Sequence, residues 1–491
     1  MMGRHVLPGP LTVDSGVESS FQVTTPLMPH QSAAVEKMLP TRIGALFMEM
    51  GTGKSRTAIE IIHRRLPRIK NVLWFCPVSL KQTVRHEILK HTDCTDADIH
   101  VFGDKTNERT APGCLWHIIG IESMSASARV VVTVNKLITE DSLVIVDESS
   151  YIKGHNATRT QRLTKLSERA RYRLILTGTP ISQGVVDLYA QMRFLSPKIL
   201  GYRSFYSFAA NHLEYSDKFP GMIVESHNLE FIAAKIKPYV YQVTKDECLD
   251  LPEKLYETRY FSMTGEQRYA YEEAKEEIMQ DIENDTFDSV TIFRLFTALQ
   301  QIVCGFWNQH RQGQPVEHHE FSHRRIDVLM DTVLSVPQTE KIIIWTKYQH
   351  DIEELGAALR EKFGEDCTAP FHGALSEKKR AEQVERFRNG SRFFLATQSC
   401  GGHGLTLNEA HHVIYYNNAF KYSERQQSED RCHRIGQEQK VVYIDIQCSD
   451  SIDDRIANAL ASKGSVVEQF KAEVDKVRSQ KTKLKDMVKA L

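Results

Sequence analysis

The stretch Met48–Ser55, which reads MEMGTGKS, decides the fold of this chain. Its run from Gly51 to Ser55 precedes an apolar-periodic segment that predicts a helix from Ser55 to Leu66. The backbone N–H groups of a glycine-rich turn at a helix N-terminus can surround a polyphosphate, with Lys54 reaching the β and γ phosphates and Ser55 holding Mg²⁺. The strict pattern has glycine where this chain has Met48. A glycine-rich turn that caps an ordinary helix therefore stays open as an alternative.

A second motif follows about 90 residues downstream, where the apolar run Leu143–Val146 ends in Asp147 and Glu148. A phosphate-binding loop enzyme needs one carboxylate near Mg²⁺ and one that polarises the attacking water. Two acids after a strand can also cap the next helix. The combination of both motifs at this spacing favours the catalytic interpretation.

Composition sets the broad class. The chain has 491 residues and a formal net charge of −1, so it should hold about three domain-sized units, and any nucleic-acid contact must come from local basic patches. Its nine cysteines form no CxxC pair, which favours reduced thiols over a zinc site or a disulfide framework. The sequence shows neither a signal peptide nor a membrane span, so we expect a cytoplasmic protein. We also expect a monomer.

Strand-like and helical segments alternate on both sides of an irregular middle, which predicts an α/β fold with two parallel sheets. Around the first motif, the predicted strands are 72–76, 118–121, 143–146 and 174–176. The stretch from Ser196 to Glu340 is helix-rich and predicts inserted helical subdomains. The alternation restarts at Lys341, with predicted helices at 349–363 and 377–389 and strands at 393–396, 413–416 and 441–446.

Several further side chains are candidates for the same site. Gln31, upstream of the loop, can read adenine or can belong to a solvated helix N-terminus. Thr177, Gly178 and Thr179 form a turn after a strand whose hydroxyls can sense the γ-phosphate. Arg431 and Arg434 are three apart, so on a helix both guanidinium groups would share one face and suit a γ-phosphate, with surface salt bridging as the alternative.

At the C-terminus, Ser451 and Asp454 predict a capped helix. Beyond Gly464, apolar residues keep a three-four spacing from Phe470 to Leu491. This amphipathic helix can brace its own domain, or it can offer a coiled-coil seam to a protein partner.

Six segments in this order, MGTGKS, LVIVDES, LILTGTP, FHGALSEKKR, GGHGLTL and QSEDRCHRIGQ, resemble the motifs of superfamily 2 helicases. The last, with HRIGQ intact from His433 to Gln437, resembles the Swi/Snf-type branch. The resemblance covers about residues 27–460. It implies two RecA-like lobes with helical insertions that hydrolyse ATP with Mg²⁺ to move along double-stranded DNA.

The resemblance also implies site residues and boundaries. The implied catalytic residues are Lys54, Asp147, Glu148, Arg431 and Arg434, with Ser55 and Asp147 as Mg²⁺ ligands. The implied nucleotide contacts are Gln31, Met50, Gly51, Thr52, Gly53, Lys54, Ser55, Gly404 and Gln427; Thr177, Gly178 and Thr179 would be the coupling turn, and Gly404 with Thr406 a DNA-tracking loop. The expected parts are an N-terminal extension (1–24), an ATP-binding lobe (25–196), a helical insertion (197–324), a second lobe (325–464) and a C-terminal amphipathic helix (465–491).

The chain departs from the family pattern at three places. The family's DEAH becomes Asp147-Glu148-Ser149-Ser150, the usual Trp of the first DNA-facing motif is Val84, and Trp-Asn-Pro becomes Phe420-Lys421-Tyr422. These changes indicate a divergent, compact member, and they favour a bacterial or phage origin over the eukaryotic nucleus.

Three functions stay open on the sequence. The first is an ATP-driven translocase on double-stranded DNA that serves replication, repair, fork remodelling or protein displacement. The second is a strand-separating or strand-annealing helicase. The third is an interaction module that ATP switches within a larger nucleoprotein complex.

Overall fold

The computed structural model describes residues 21–181, 184–215, 223–249, 251–283, 287–310, 315–401, 405–434, 436–477 and 480–491. Contacts divide the chain into two compact units, which we call unit 1 (1–48 and 53–242) and unit 2 (49–52 and 243–491). Each unit has its own sheet, and the predicted α/β class with two parallel sheets is confirmed.

Strands and helices alternate through most of unit 1. Its strands are β1 (Ile43–Met48), β2 (Asn71–Cys76), β3 (Ile99–Val101), β4 (Trp116–Gly120), β5 (Ser142–Asp147), β6 (Tyr172–Thr177), β7 (Leu213–Tyr215), β8 (Ile223–Ser226) and β9 (Val240–Val243). Its helices are α1 (Pro29–Met38), α2 (Lys54–His63), α3 (Lys81–His91), α4 (Ser123–Ala126), α5 (Ala128–Leu137), α6 (Thr158–Ser167), α7 (Val186–Leu195), α8 (Phe205–His212) and α9 (Leu229–Ile236).

Among the described residues, the main sheet of unit 1 has the strand order β3-β4-β2-β5-β6-β1-β9. Neighbouring strands from β3 to β1 are parallel, so each connection between them crosses over the sheet, and most of these connections contain a helix. The central strands are buried almost throughout, which explains why they are continuous apolar runs. Their carboxyl ends lie at one edge, where such sheets bind ligands.

Unit 2 repeats this pattern with more helix. Its strands are β10 (Lys254–Phe261), β11 (Phe306–Gln309), β12 (Glu317–Glu320), β13 (Ile342–Thr346), β14 (Thr368–Phe371), β15 (Phe393–Thr397), β16 (His412–Tyr415) and β17 (Val441–Cys448). Its helices are α10 (Lys245–Cys248), α11 (Gly265–Glu283), α12 (Ser289–Val303), α13 (Arg325–Ser335), α14 (Gln349–Phe363), α15 (Glu377–Asn389), α16 (Gln398–Gly401), α17 (Tyr422–Glu429), α18 (Ile452–Ala461), α19 (Val466–Val477) and α20 (Lys481–Lys489).

The sheet of unit 2 has the order β10-β17-β16-β13-β15-β14, and its neighbours are parallel. Its edge strand β10 comes from the stretch that the sequence predicted as inserted helices, so the α/β pattern of this unit begins well before Lys341. Residues 255–260 of this strand are all exposed. Polar and apolar side chains are mixed along it, so no continuous apolar run marks it as a strand in the sequence.

Most predicted elements agree with the observed ones within two or three residues. Helices α14 and α15 have the predicted bounds. Helix α2 begins at Lys54 and ends at His63, short of the predicted Leu66, because Pro67 cannot continue a helix. No helix within the described ranges combines the length and the apolar character that crossing a membrane requires.

The C-terminal segment forms two helices, α19 and α20, where the sequence predicted one. Their apolar residues Phe470, Val474, Leu484 and Val488 are buried in the core of unit 2. The hydroxyl of Tyr271 in α11 donates a hydrogen bond to the Leu491 carbonyl at 3.0 Å. The apolar seam thus braces its own unit, which favours the first of the two interpretations of this segment.

Phe470 gives a direct test of this bracing. Its side chain is 1% exposed and its ring lies 5.0 Å from that of Phe296. Phe470→Ala is expected to lower the free energy of unfolding of unit 2 by about 3–5 kcal/mol, since it removes a buried ring and leaves a cavity. Chemical denaturation followed by circular dichroism measures the change. The matched control is Lys471→Ala, an exposed neighbour; equal effects of both variants would show that the tail is not part of the core.

Candidate functional site

The candidate phosphate-binding loop has the backbone that its glycines predict. Gly51 has φ +83° and Gly53 has φ +85°, a region that favours glycine, and α2 begins directly afterwards at Lys54. The Lys54 Nζ donates a hydrogen bond to the Met48 carbonyl at 2.9 Å. Met48 ends β1 with its side chain fully buried, so its extended backbone explains why no glycine is needed there.

Gln31 lies against this loop. Its side chain is 3% exposed, and any side chain at position 53 would collide with the Gln31 Nε2. The Gln31 Oε1 also accepts a hydrogen bond from the Met28 N–H at 2.9 Å, which closes the N-terminus of α1. Gln31 therefore closes the N-terminus of α1 but is buried and not solvated, and its contact with adenine stays a prediction.

The acidic pair follows β5. Asp147 is the last residue of that strand, and Glu148 has a left-handed backbone with φ 54°, which is uncommon for a residue with a side chain. The Glu148 Oε1 accepts hydrogen bonds from the Thr177 Oγ1 and the Ser150 Oγ, both at 2.9 Å. Glu148 precedes a short helix but its side chain makes no capping hydrogen bond, so the capping alternative is not supported.

Asp147 is half-buried beside the loop. Burial raises the pKa of its carboxyl to about 6, although the positive charge of Lys54 acts in the opposite direction. Its two oxygens accept hydrogen bonds from the Glu148 N–H at 3.0 Å and the Trp74 Nε1 at 3.3 Å. A carboxylate and a hydroxyl are ligands that Mg²⁺ prefers, and Ser55, the second residue of α2, supplies the hydroxyl. These residues therefore fit a Mg²⁺ ion.

The predicted coupling turn joins the acidic pair to α7. The Thr177 Oγ1, which donates to Glu148, also accepts the Thr179 N–H at 3.1 Å across Gly178. The Gln191 Nε2 donates to the Pro180 carbonyl at 2.8 Å.

The Gln191 Oε1 accepts a hydrogen bond from the Ser149 Oγ at 2.6 Å, so one α7 side chain touches both motifs. Sequence reasoning missed Ser149, Ser150 and Gln191. The available signal was a glutamine inside an otherwise apolar stretch of α7.

Unit 2 contains the arginine pair and the loop residues 49–52. Helix α17 ends at Glu429, so Arg431 and Arg434 lie in the turn that follows and not on one helix face, and that expectation is wrong. They still converge, because the Nη1 atoms of both donate to the Leu405 carbonyl, at 3.3 and 3.1 Å. The Arg431 Nη2 lies 3.3 Å from the Met50 Sδ.

The remaining predicted nucleotide and DNA contacts are Gln427, Thr406, Thr52 and Gly404. The Gln427 carbonyl accepts a hydrogen bond from the Arg431 Nε at 2.8 Å, and the Thr406 carbonyl accepts one from the Arg388 Nη2 at 3.3 Å. Thr52 is buried and its Oγ1 donates to the Glu49 carbonyl at 2.7 Å. Gly404 lies outside the described residues.

Lys245 was missed by the sequence analysis as a residue that holds the arginine segment. Its ammonium group is buried, donates to the Asp430 carboxylate and donates to the His433 carbonyl at 2.8 Å. Burial lowers the pKa of Lys245, although Asp430 acts in the opposite direction.

A second contact fixes the end of α17 from β10. Lys254 and the Tyr256 hydroxyl both donate to the Glu429 carboxylate, at 3.0 and 2.9 Å. The segment from Lys245 to Tyr256 therefore fixes both ends of the turn in which the arginines lie.

Comparison with protein families identifies two domains. The SNF2-related domain matches residues 30–306, more than half of the chain, and the helicase conserved C-terminal domain matches residues 324–436. The chain belongs to the SNF2-related family. Both matches include the candidate site: the first covers the loop, the acidic pair and the coupling turn, and the second covers Arg431 and Arg434.

Curated relatives of this SNF2-related chain are longer proteins. An uncharacterized ATP-dependent helicase of Mycoplasma pneumoniae is 25% identical, and the match covers 86% of this chain and 40% of the relative. The human DNA annealing helicase and endonuclease ZRANB3 is 27% identical over 79% of this chain and 35% of its own. The chain thus spans less than half of the length of either relative.

Among solved structures, the chain is similar to the Sulfolobus solfataricus SWI2/SNF2 ATPase core in complex with dsDNA. The sequences are 21% identical, the match covers 94% of this chain and 95% of the other, and the TM-score is 0.43. The two-sheet architecture of this SNF2-related chain rests on its own strand order, not on this likeness.

The pKa of Asp147 generates a testable prediction. As a predicted Mg²⁺ ligand, Asp147 would bind the ion only as the carboxylate, so protons should compete with the metal and affinity should fall as the pH drops below about 6. Calorimetric titration of Mg²⁺ in the presence of ADP between pH 5 and 8 measures this once the same titration of ADP alone is subtracted, because the terminal phosphate of ADP also exchanges protons for Mg²⁺ in this range. Asp147→Asn should remove the pH dependence together with most of the affinity; an unchanged affinity of the wild type at pH 5 would contradict the assignment.

Proposed function

We propose that this chain hydrolyses ATP and uses the energy to move along double-stranded DNA. The observation that carries this proposal is the placement of the loop, Asp147, Glu148 and Thr177 at the carboxyl ends of three adjacent strands, β1, β5 and β6, of one parallel sheet. Membership of the SNF2-related family supports it. The relatives named ATP-dependent helicase and DNA annealing helicase support ATP as the substrate and DNA as the partner.

The residues of unit 1 divide the chemistry between them. The N–H groups at the start of α2, behind Gly53, bind phosphate oxygens, and the Lys54 ammonium offsets their negative charge. Bound Mg²⁺ would neutralise charge on the phosphates, with Ser55 and Asp147 as its protein ligands. Glu148 orients the attacking water, and its hydrogen bonds from Thr177 and Ser150 fix the carboxylate.

The coupling turn, Thr177 to Thr179, then responds to the loss of the γ-phosphate. A change at the γ-phosphate moves Glu148, and Thr177 passes the change to Thr179 through its single hydroxyl. Because Gln191 holds both Ser149 and the Pro180 carbonyl, α7 responds to the same event. In this proposal the network takes the place of the histidine that DEAH motifs have.

The deciding experiment measures ATP hydrolysis without nucleic acid and with single-stranded DNA, duplex DNA and RNA. We expect duplex of any sequence to stimulate turnover most, and binding to weaken with salt, since phosphate contacts do not depend on sequence. Glu148→Gln should keep ATP binding while turnover falls by about 10²- to 10⁴-fold, because glutamine preserves the shape but cannot accept the proton. Slow hydrolysis that ignores DNA would favour the ATP-switched module, and displacement of a labelled strand would favour a strand-separating helicase.

The arginine pair generates a second prediction. An arginine that stabilises the charge developing on the transferred phosphoryl group is worth about 10³- to 10⁵-fold in turnover. Arg431→Ala and Arg434→Ala should therefore keep ATP binding but lose DNA-stimulated hydrolysis, and the double variant should be little worse than the more damaging of the two single variants. The comparison is DNA-stimulated against basal turnover at saturating ATP.

The matched control for this pair is Arg386→Ala in α15. Arg386 pairs with the exposed Asp366 at 3.0 Å and belongs to neither motif. It should keep wild-type stimulation. If Arg431→Ala and Arg434→Ala behave as this control does, the proposed role of the pair is wrong.

A further inference from the structure

The hairpin of β11 and β12 in unit 2 has a cluster of imidazole and carboxylate groups that the proposed function does not use. The two strands are antiparallel and pair Asn308 with His318 and Phe306 with Glu320. His318 and Glu320 are two residues apart, so their side chains leave the same face of the strand. His350, in the first turn of α14, stacks its ring on Phe306 of that face at 4.2 Å between ring centroids.

The ligand-type atoms of this cluster converge. The Glu320 Oε1 lies 3.3 Å from the His318 Nε2 and 3.6 Å from the His350 Nε2. One such atom from each of the three side chains lies within 4.8 Å of the other two. Four ligands at about 2.1 Å from a tetrahedral Zn²⁺ are about 3.4 Å apart, so both short distances match the edge of a zinc coordination polyhedron.

Hydrogen bonding and stacking orient the two imidazole rings for this purpose. The His318 Nδ1 lies 2.7 Å from the Asn308 Oδ1, which can only accept, so Nδ1 carries a proton; a bound metal ion would replace the Nε2 proton that reaches Glu320 in the metal-free protein. Fixing the tautomer of a histidine through its other ring nitrogen is how proteins prepare a metal ligand. The stack on Phe306 holds the His350 ring with an interplanar angle of 27°.

We propose that His318, Glu320 and His350 bind a divalent transition-metal ion that ties the β11–β12 hairpin to the first turn of α14. Two imidazoles and one carboxylate are a donor set of zinc proteins, with water as the fourth ligand. The side chain of Glu320 is 72% exposed and that of His350 28%, so an ion can enter from solvent. The absence of CxxC pairs in the sequence does not bear on this site, because it uses no cysteine.

The proposal is tested on the full chain with Zn²⁺ as the probe. After removal of metal with EDTA, Zn²⁺ is titrated in excess Mg²⁺, and the melting temperature is recorded with and without Zn²⁺. The wild type should bind one equivalent that raises the melting temperature. Glu320→Gln and His318→Ala should weaken binding by at least the 10- to 100-fold that loss of an outer-shell partner typically costs, and should abolish the thermal shift. Asn308→Ala should weaken binding by about 10- to 100-fold through the tautomer of His318.

The neighbouring His319 supplies the matched control. It lies on the opposite face of β12. There its ring centroid is 6.0 Å from that of Trp307, and its Nε2 lies 3.1 Å from the Gln309 Oε1. His319→Ala should keep the zinc affinity of the wild type. His227→Ala identifies any equivalent bound by a second cluster, Glu214, Glu225 and His227, in the hairpin of β7 and β8.

Co²⁺ provides an independent readout. Bound at this site it should give visible bands without the near-ultraviolet charge-transfer band of a thiolate ligand. The proposal is overturned if no stoichiometric Zn²⁺ binding occurs, if Glu320→Gln binds as the wild type does, or if the Co²⁺ spectrum is that of a cysteine site. Equal loss of affinity in His319→Ala and His318→Ala would also overturn it.

Discussion

Parallel hydrogen bonding among β5, β6 and β1 is the constraint on which the candidate site of unit 1 depends. The pairing places Asp147 beside Leu176 and Thr177 beside Phe47, so three chain segments end at one edge of the sheet. Antiparallel pairing would send neighbouring strand ends to opposite edges. The crossovers that parallel strands require also bury both faces of the sheet.

This arrangement places polar groups where they are costly. Glu148 has a left-handed backbone, which costs about 1–3 kcal/mol for a residue with a side chain, and burial raises the pKa of Asp147. The hydrogen bonds from Thr177 and Ser150 fix the strained residue in one geometry. Strain and perturbed pKa values cluster at functional sites, because a group that acts on a substrate must be held in a state that it would not adopt in water.

Unit 2 positions its arginines in a turn that side-chain contacts hold, and not on a helix face. A continuing α17 would have presented both on one face, but the helix ends at Glu429 and the pair converges on the Leu405 carbonyl. The buried Lys245–Asp430 pair holds the turn. Buried ion pairs add little net stability, but breaking one leaves an uncompensated charge, so they restrict a segment to one conformation. We infer that this restriction is the contribution of Lys245.

The sequence by itself determined the α/β class, the bounds of α14 and α15, and the positions of the glycine-rich loop and the acidic pair along the chain, because these depend on local periodicity and short-range spacing. Only the tertiary structure decided which distant groups meet. The edge strand β10 has no apolar run, the tail residues Phe470 and Leu484 could have faced a partner or the core, and the partners of Glu148 lie in other segments. The same holds for His318 and His350, which are far apart in sequence and approach each other only because a hairpin packs against the start of α14. Such contacts depend on how elements pack against one another. The spacing of residues along one element does not determine which packing has the lowest free energy.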